Sequence, residues 1–332
     1  MQGNGEHPAN NNASSVTAPT ERFASPFDRA AWFDLLTAHG FAGAGRADAR
    51  GAEGETSAHL PLRIETPGHF AALANWYSFS IRPLFIGDGN RDAAQLDLFR
   101  KLRARATRLT LYPVSDAEKD GIAAALRSAG WWVHTAPKGD RHWLDLKGMS
   151  HDDWWNSRPG ALRSTVRRKE KKGIVDVALY TTFDAEAWAA YEAIYAASWK
   201  PAEGCPALLR AFAQDESKRG TFRMGLARIE GTPVAAQFWT VEGGTAFIHK
   251  LAHTEDSIRA SPGTLLSAAL FRHVIEVDGA VRVDFGTGND GYKRDWMNRH
   301  EPLWHIDAFN RARIAAWGPA LKTFVRSAIG RK

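Results

Sequence analysis

The run from Thr245 to Trp296 constrains the fold of this chain more than any other part, because it reads as strand, loop, helix, strand and Gly-rich turn in immediate succession. Thr245 to Ala252 is aromatic and β-branched enough for a strand. Ser261-Pro262-Gly263 then opens a helix whose apolar positions Leu265, Leu266, Ala269, Leu270 and Val274 recur at helical spacing. Val281 to Phe285 alternates Val, Arg, Val, Asp, Phe and runs into Gly286-Thr287-Gly288, followed by the pair Tyr292-Lys293. A strand, a crossover helix and a second strand in this order predict parallel neighbours, and the helix start between them is the place where backbone N–H groups can receive phosphate.

The segment just upstream extends the sheet. Thr221 to Ile229, Pro233 to Val241 and Thr245 to Ala252 read as a three-stranded meander turned by Glu230-Gly231 and Gly243-Gly244. In the middle strand Val234, Ala236 and Phe238 share one face and Ala235, Gln237 and Trp239 the other, so Gln237 is a polar intruder, either a satisfied core residue or a binding group. In the third strand Phe247, His249, Leu251 and His253 share a face opposite Ile248, Lys250 and Ala252. His249 and His253 are then roughly 13 Å apart at the usual strand rise, too far to share one ion, so no metal site is expected. His249 alone has the reference pKa of a general base at neutral pH.

A basic helix after Pro159 carries Leu162-Arg163-Ser164-Thr165-Val166-Arg167-Arg168, with Arg163 and Arg167 four apart on one face and able to clamp an anionic group. The run is short and lacks interleaved aromatics, which speaks against DNA. Further helices are expected over Ala185 to Trp199, ending in Ser198-Trp199-Lys200, and over Pro206 to Asp215. In the first half the pattern predicts a helix over Pro26 to His39, a Gly- and Ala-rich loop to about Ala58, and extended stretches over Leu60 to Glu65 and His69 to Phe85. Helices near Ala93 to Arg105 and Ala117 to Ala129 then alternate with strands at Arg108 to Pro113, Trp131 to Thr135 and His142 to Leu146.

Composition sets outer limits. A chain of 332 residues, 44% hydrophobic and 24% charged, is long enough for two globular units. Its single cysteine, Cys205, excludes an intramolecular disulfide and fits a reducing compartment. No apolar run is long enough for a membrane span, and a net charge of +6 favours anionic partners. Residues 1–22 are polar and low in complexity, which predicts disorder. The tail over 311–332 sets Ile314, Trp317, Leu321, Phe324, Val325 and Ala328 beside Arg313, Lys322, Arg326, Arg331 and Lys332. This basic amphipathic helix, kinked early by Pro319, suits anionic lipid as well as its own domain or a second subunit.

Taken together, the basic helix, Ser198-Trp199-Lys200, Ser261-Pro262-Gly263, Asp284-Phe285-Gly286-Thr287-Gly288 with Tyr292-Lys293, and the earlier triplet Asn75-Trp76-Tyr77 resemble GNAT acyltransferases. Within these, the patches are similar to the bacterial branch of Fem-type and cellulose-biosynthesis-type transferases. The resemblance implies an α/β chain of tandem GNAT-like lobes, each a mixed twisted sheet flanked by helices. A degenerate lobe over 23–148 would wall the cleft, and a lobe over 149–310 would carry the cofactor site. It implies an acyl-CoA-dependent N-acyltransferase, with acetyl-CoA as co-substrate and no metal. The acceptor would be a small-molecule or lipid-linked sugar amine of a cell-envelope or polysaccharide precursor, and the location cytoplasmic, at or near the inner face of the membrane.

On that resemblance Arg259, Ser261, Gly263, Thr264, Gly286 and Gly288 would hold the cofactor, and Arg163, Arg167, Trp199, Lys200 and Gln237 the substrate. Tyr292 would protonate the leaving thiolate, Lys293 would stabilise it, and Asp284 or His249 would act as base. The alternatives are a Fem-type transferase drawing its acyl group from aminoacyl-tRNA, and a non-catalytic module that binds polysaccharide precursors.

Overall fold

The computed structural model describes residues 25–146, 148–288 and 291–329; the tail expected to be disordered lies outside them. The elements run in chain order as α1 (Ala30–Leu35), β1 (Arg46–Glu53), β2 (Thr56–Thr66), β3 (His69–Ala72), β4 (Leu84–Ile86), α2 (Arg91–Arg103), β5 (Arg108–Val114), α3 (Asp116–Ser128) and β6 (Trp131–Asp145). The second half supplies α4 (His151–Asn156), α5 (Gly160–Lys172), β7 (Val175–Tyr180), α6 (Ala185–Ala196), α7 (Pro206–Lys218), β8 (Phe222–Ile229), β9 (Thr232–Glu242) and β10 (Thr245–His253). It ends with α8 (Pro262–Glu276), β11 (Arg282–Thr287), α9 (Lys293–Trp296), β12 (Arg299–Asn310) and α10 (Trp317–Ile329).

All the strands among the described residues join one mixed sheet in the order β1-β2-β3-β5-β12-β6-β11-β10-β9-β8-β7, with β4 on β2. This is the expected α/β class. Helices α2 and α3 cover the first half through Leu98, Phe99, Leu102 and Leu126. In the second half α6 and α7 cover one face through Trp188, Tyr191 and Phe212, while α8 covers the other through Leu266, Leu270 and Phe271. The meander turns as expected, with Glu230 and Gly231 and then Gly243 and Gly244 all at positive φ, the backbone that a two-residue hairpin turn requires. Ser150 caps α4 in a reciprocal capping box with Asp153.

The two halves are interleaved. β12 lies between β5 and β6, and the long β6 pairs with β12 on one side and β11 on the other. The N-terminal segment, a 3₁₀ turn at Pro26–Asp28 followed by α1 and a π turn at Leu36–Gly40, packs Phe27, Trp32, Phe33 and Leu36 into the core of the second half.

Four local expectations are corrected. The stretch expected as loop to Ala58 contains β1, which pairs with β2 along its whole length and is formed by that partner rather than by its own Ala- and Arg-rich sequence. The extended reading of His69 to Phe85 breaks into the short β3 and β4. The two strands expected over 131–146 are one. Pro319 does not kink α10: the helix starts at Trp317, so the proline sits in the first turn, where its missing N–H has no helical partner to lose.

Candidate active site

A cleft opens where β10 and β11 part. They pair in parallel from Thr245/Arg282 to Phe247/Asp284 and then diverge. At the same level β10 carries a bulge: Ile248 opposes Trp239 and Lys250 opposes Phe238, so His249 is the extra residue. The bulge overturns the strict alternation expected for this strand, and Ile248, His249, Lys250 and Leu251 all line the cleft. Across the gap stand Phe285, Gly286, Thr287, Tyr292 and Lys293, and the cleft encloses about 170 Å³. Beyond the last pair the two strands no longer bond each other.

The turn after β11 is shaped by its own side chains. Gly286 has φ 65°, and a Cβ there would approach the Phe79 ring to 2.7 Å, so only glycine fits. Asp284, fully buried, accepts the Gly286 N–H at 2.9 Å and is gripped by the Arg141 guanidinium, which also reaches Glu301 at 3.4 Å. Its carboxylate is thereby committed to holding the turn. Lys293, also buried, donates to the carbonyl oxygens of Thr287 at 2.7 Å and Gly288 at 3.4 Å. Tyr292 is 40% exposed and meets Phe285 edge-on, with its ring on the cleft wall.

His249 bonds Thr240 Oγ1 at 2.8 Å through Nε2. Burial, reinforced by the Lys250 and Arg29 charges, pushes its pKa down to about 3. It is neutral at physiological pH and a weak proton acceptor. Gln237 lies on the opposite face of the sheet, under α8. Its amide donates to Gly263 O at 3.1 Å and Ser267 Oγ at 2.7 Å and accepts from Trp239 Nε1 at 2.9 Å, so it anchors the start of α8.

That helix start follows a 3₁₀ turn, Glu255–Ala260, and Ser261 at φ 57°. Here the structure joins two readings the sequence kept apart: Lys169 of α5 donates to the Arg259 carbonyl, and Lys169, Lys172, Arg259 and Ala260 line one shallow pocket. The basic helix thus reaches the segment containing Arg259, Ser261, Gly263 and Thr264 through its last turn. Arg163 instead bonds the Arg158 carbonyl at 3.1 Å, and Arg167 is exposed; neither lines the cleft. Trp199 packs at a tilt against His253 at the end of β10, with ring centroids 4.5 Å apart, and Lys200 lines the cleft. Gly288, whose N–H donates to Asp140 O at 3.0 Å, stands beyond the cleft turn.

A polar cluster went unread in the sequence. Glu203, in the loop between α6 and α7, pairs with Lys250 at 2.8 Å and accepts from the Tyr77 hydroxyl and, at 3.4 Å, from Tyr191. Lys250 lies over the rings of Tyr77 and Tyr195 at 4.6 and 5.2 Å. Burial lowers the Lys250 pKa, and burial together with the Glu203 bond raises that of Tyr77. Tyr77 was visible as part of Asn75-Trp76-Tyr77; for Glu203 the only signal was a carboxylate in a Pro- and Gly-flanked loop beside Trp199-Lys200. Among the described residues no group of three or more His, Cys, Asp and Glu is arranged to hold a metal.

Residues 157–294 match the family model described as an acetyltransferase (GNAT) domain, so this part of the chain is a domain of acyltransferase type. Among solved structures it is similar to FemX, with a TM-score of 0.59 at 11% identity over 83% of this chain and 94% of that one. The C-terminal domain of a lysylphosphatidylglycerol synthetase from Agrobacterium fabrum gives 0.53 at 14% identity, covering 86% and 88%. L-PGS from Bacillus licheniformis gives 0.53 at 13%, covering 93% and 98%. At these identities the likeness is one of fold. No curated protein sequence matches the chain.

Proposed function

We propose that the protein is an acyl-CoA-dependent N-acyltransferase, with acetyl as the acyl group, acting by direct transfer on an amine of a cell-envelope or polysaccharide precursor. The observation that carries the donor reading is the opening between β10 and β11 at the His249 bulge, beside the start of α8. A thioester laid into that opening can pair with strand backbone along its length. Its pyrophosphate would meet the N–H groups of Gly263 and Thr264 and the charges of Arg259, Lys169 and Lys172. The neutral amine nitrogen attacks the thioester carbonyl, the C–S bond breaks, Tyr292 gives its phenolic proton to the departing thiolate, and the proton that the nitrogen sheds passes to solvent, from which Tyr292 is reprotonated. Its reference pKa near 10 keeps it protonated, against about 8.5 for a thiol. Asp284, Lys293 and Gly286 act by positioning: they hold the turn that carries Tyr292.

A donor carried by tRNA is the second reading, favoured by the basic run Arg163, Arg167, Arg168, Lys169, Lys171 and Lys172 on α5. Against it, the longest helix among the described residues is α8, with 15 residues, so none forms the extended arm expected of that branch.

Calorimetric titration with acetyl-CoA, on the native protein and on Gly263→Asp, tests the proposal. A Cβ at Gly263 would meet His253 Cδ2 at 3.5 Å, an ordinary contact, so the variant should fold. Micromolar binding abolished by the added carboxylate is the expected result, together with a fall of about 10²-fold or more in kcat for Tyr292→Phe at unchanged acetyl-CoA affinity. No binding by the native protein would transfer the assignment to the tRNA-dependent donor. Binding without any effect of Tyr292→Phe on transfer would remove the acid role.

A further inference from the structure

We infer that the protein holds a second site, separate from the cleft, that binds one uncharged sugar ring; it goes beyond the acyl-transfer reading and does not depend on it. The site is a cavity of about 230 Å³ between the two halves. Its walls are the 3₁₀ turn at Pro26–Asp28, the chain before β4, the start of α3 and strands β6, β10, β11 and β12. That volume lies below the range of about 300–1,000 Å³ usual for drug-sized ligands, so the cavity admits a single ring. Phe79, which is buried, lines both this cavity and the cleft, and Arg141 of the cavity grips Asp284 beneath the cleft turn. A ligand here leaves the cleft free and rests on the wall that supports Gly286.

Charge inside the cavity is already balanced. Its lining sets three arginines against three carboxylates: Asp28 holds Arg82 at 2.8 Å, Glu118 reaches Arg82 at 3.5 Å and Glu301 reaches Arg141 at 3.4 Å. The third arginine, Arg282, makes no ion pair among the described residues; its guanidinium lies over the Trp143 ring at 3.8 Å, with Asp145 opposite it on β6. An anion drawn to Arg282 would share the cavity with Glu118 and Glu301, and a cation drawn to those carboxylates would share it with Arg82 and Arg141. Either would give up its hydration in a lining whose charges cancel. Uncommitted hydrogen-bonding groups remain. Ser115, 8% exposed, stands at the N-cap of α3 without capping it, and among the described residues neither its hydroxyl nor those of Ser80 and Thr245 has a partner. The Arg282 N–H groups add donors, while Oε2 of Glu118 and of Glu301, outside the arginine contacts made through Oε1, adds acceptors. Sugar hydroxyls both donate and accept, so a ring bearing several of them matches this mixture where a carboxylate, a phosphate or an ammonium does not. Phe27 and Phe79, with ring centroids 4.9 Å apart, supply an apolar floor for the C–H face of such a ring.

Calorimetry with glucose, galactose, mannose and N-acetylglucosamine tests this, with glucuronate and glucosamine as charged contrasts and acetyl-CoA present or absent. At least one neutral sugar should bind in the millimolar range or tighter, at least tenfold more tightly than both charged rings, and with the same affinity when acetyl-CoA is present. Arg282→Met should weaken that sugar at least tenfold and the isosteric Thr245→Val severalfold. Both variants should keep the native circular dichroism and acetyl-CoA affinity, since neither side chain makes a hydrogen bond among the described residues. No binding by any neutral sugar, or tighter binding of glucuronate, overturns the inference. So does sugar binding that acetyl-CoA displaces, which would place it in the cleft, or sugar binding indifferent to both substitutions. If acetyl-CoA itself does not bind, the donor reading fails, and the sugar site stands on its own titration.

Discussion

Burial among the rings of Phe27, Phe79, Phe212, Phe238 and Phe247 decides what His249 does. An imidazole so enclosed loses hydration on protonation, which is why its pKa falls to about 3, and its bond to Thr240 serves to hold the bulge. The unfolded chain's histidine binds a proton near pH 6.5 and the folded one does not. This contribution to stability is therefore present above pH 6.5 and is lost as the pH falls from there toward 3, by at most about 1.4 kcal/mol per pH unit. His249→Gln keeps a bond to Thr240 and removes the titration. Urea denaturation between pH 7 and 4 should show a shallower loss of stability for the variant than for the native chain. Parallel curves would show that His249 is hydrated in the folded state. The sequence offered His249 as a base because residue type and reference pKa are legible one position at a time. Neighbouring rings that come from Phe27 to Phe247 are not.

At the scale of elements, α10 stands out for what it leaves uncovered. Ala316 and Ala320 are buried, and Trp317 and Phe324 meet Trp132 and His134, yet Leu321 is 67% and Ile329 68% exposed. From Arg311 to Lys332 the sequence contains six basic residues and no acidic one. An apolar stripe flanked by unopposed positive charge matches an anionic lipid surface, where each basic residue contributes about 1 kcal/mol and salt screens the effect. No helix among the described residues is long and apolar enough to cross a membrane, so any contact through α10 is peripheral. The chain should cosediment with phosphatidylglycerol vesicles at 50 mM salt but not with neutral phosphatidylcholine, and Leu321→Asp with Val325→Asp should reduce the bound fraction several-fold. Equal sedimentation of the double variant would reassign the stripe. This helix was legible because its signal is local: the 3.6-residue period lies entirely within the segment. β1 and β12 were not, since each is formed by partners the sequence does not mark. β12 joins a sheet position between β5 and β6, whose last residues, Val114 and Asp145, precede its first, Arg299, by 185 and 154 positions. The bulge was hidden for a related reason, because alternation along β10 predicts faces only while the register with β9 holds.

The whole molecule depends on the chain returning across its own halves. β12 enters the first half's strands, and the segment around α1 enters the second half's core, bringing Trp32 to the cleft and Phe27 against Phe247. The fastening of that segment is ionic. Arg29, 3% exposed, is held by Glu216 of α7 and by Glu242 of β9 at 3.1 Å, and Glu216 is itself fully buried with Thr221 Oγ1 donating to it at 2.6 Å. Burial raises the pKa of both carboxylates, that of Glu242 to about 7, and the Arg29 charge opposes the rise. Removing the guanidinium leaves two desolvated carboxyl groups with no counter-charge. Breaking a buried pair in this way costs about 3–5 kcal/mol, more than the lost methylene packing that Arg29→Met would restore. Arg29→Met should therefore lower stability by about that amount and speed amide exchange over residues 30–40 ahead of the rest of the chain. It should also reduce transfer activity, because Trp32 forms part of the cleft wall. Glu216→Gln added to Arg29→Met should recover part of the stability by neutralising the stranded charge, while Glu216→Gln alone should destabilise. Additive losses in the double variant would mean that Arg29 fastens the segment by packing and not by charge.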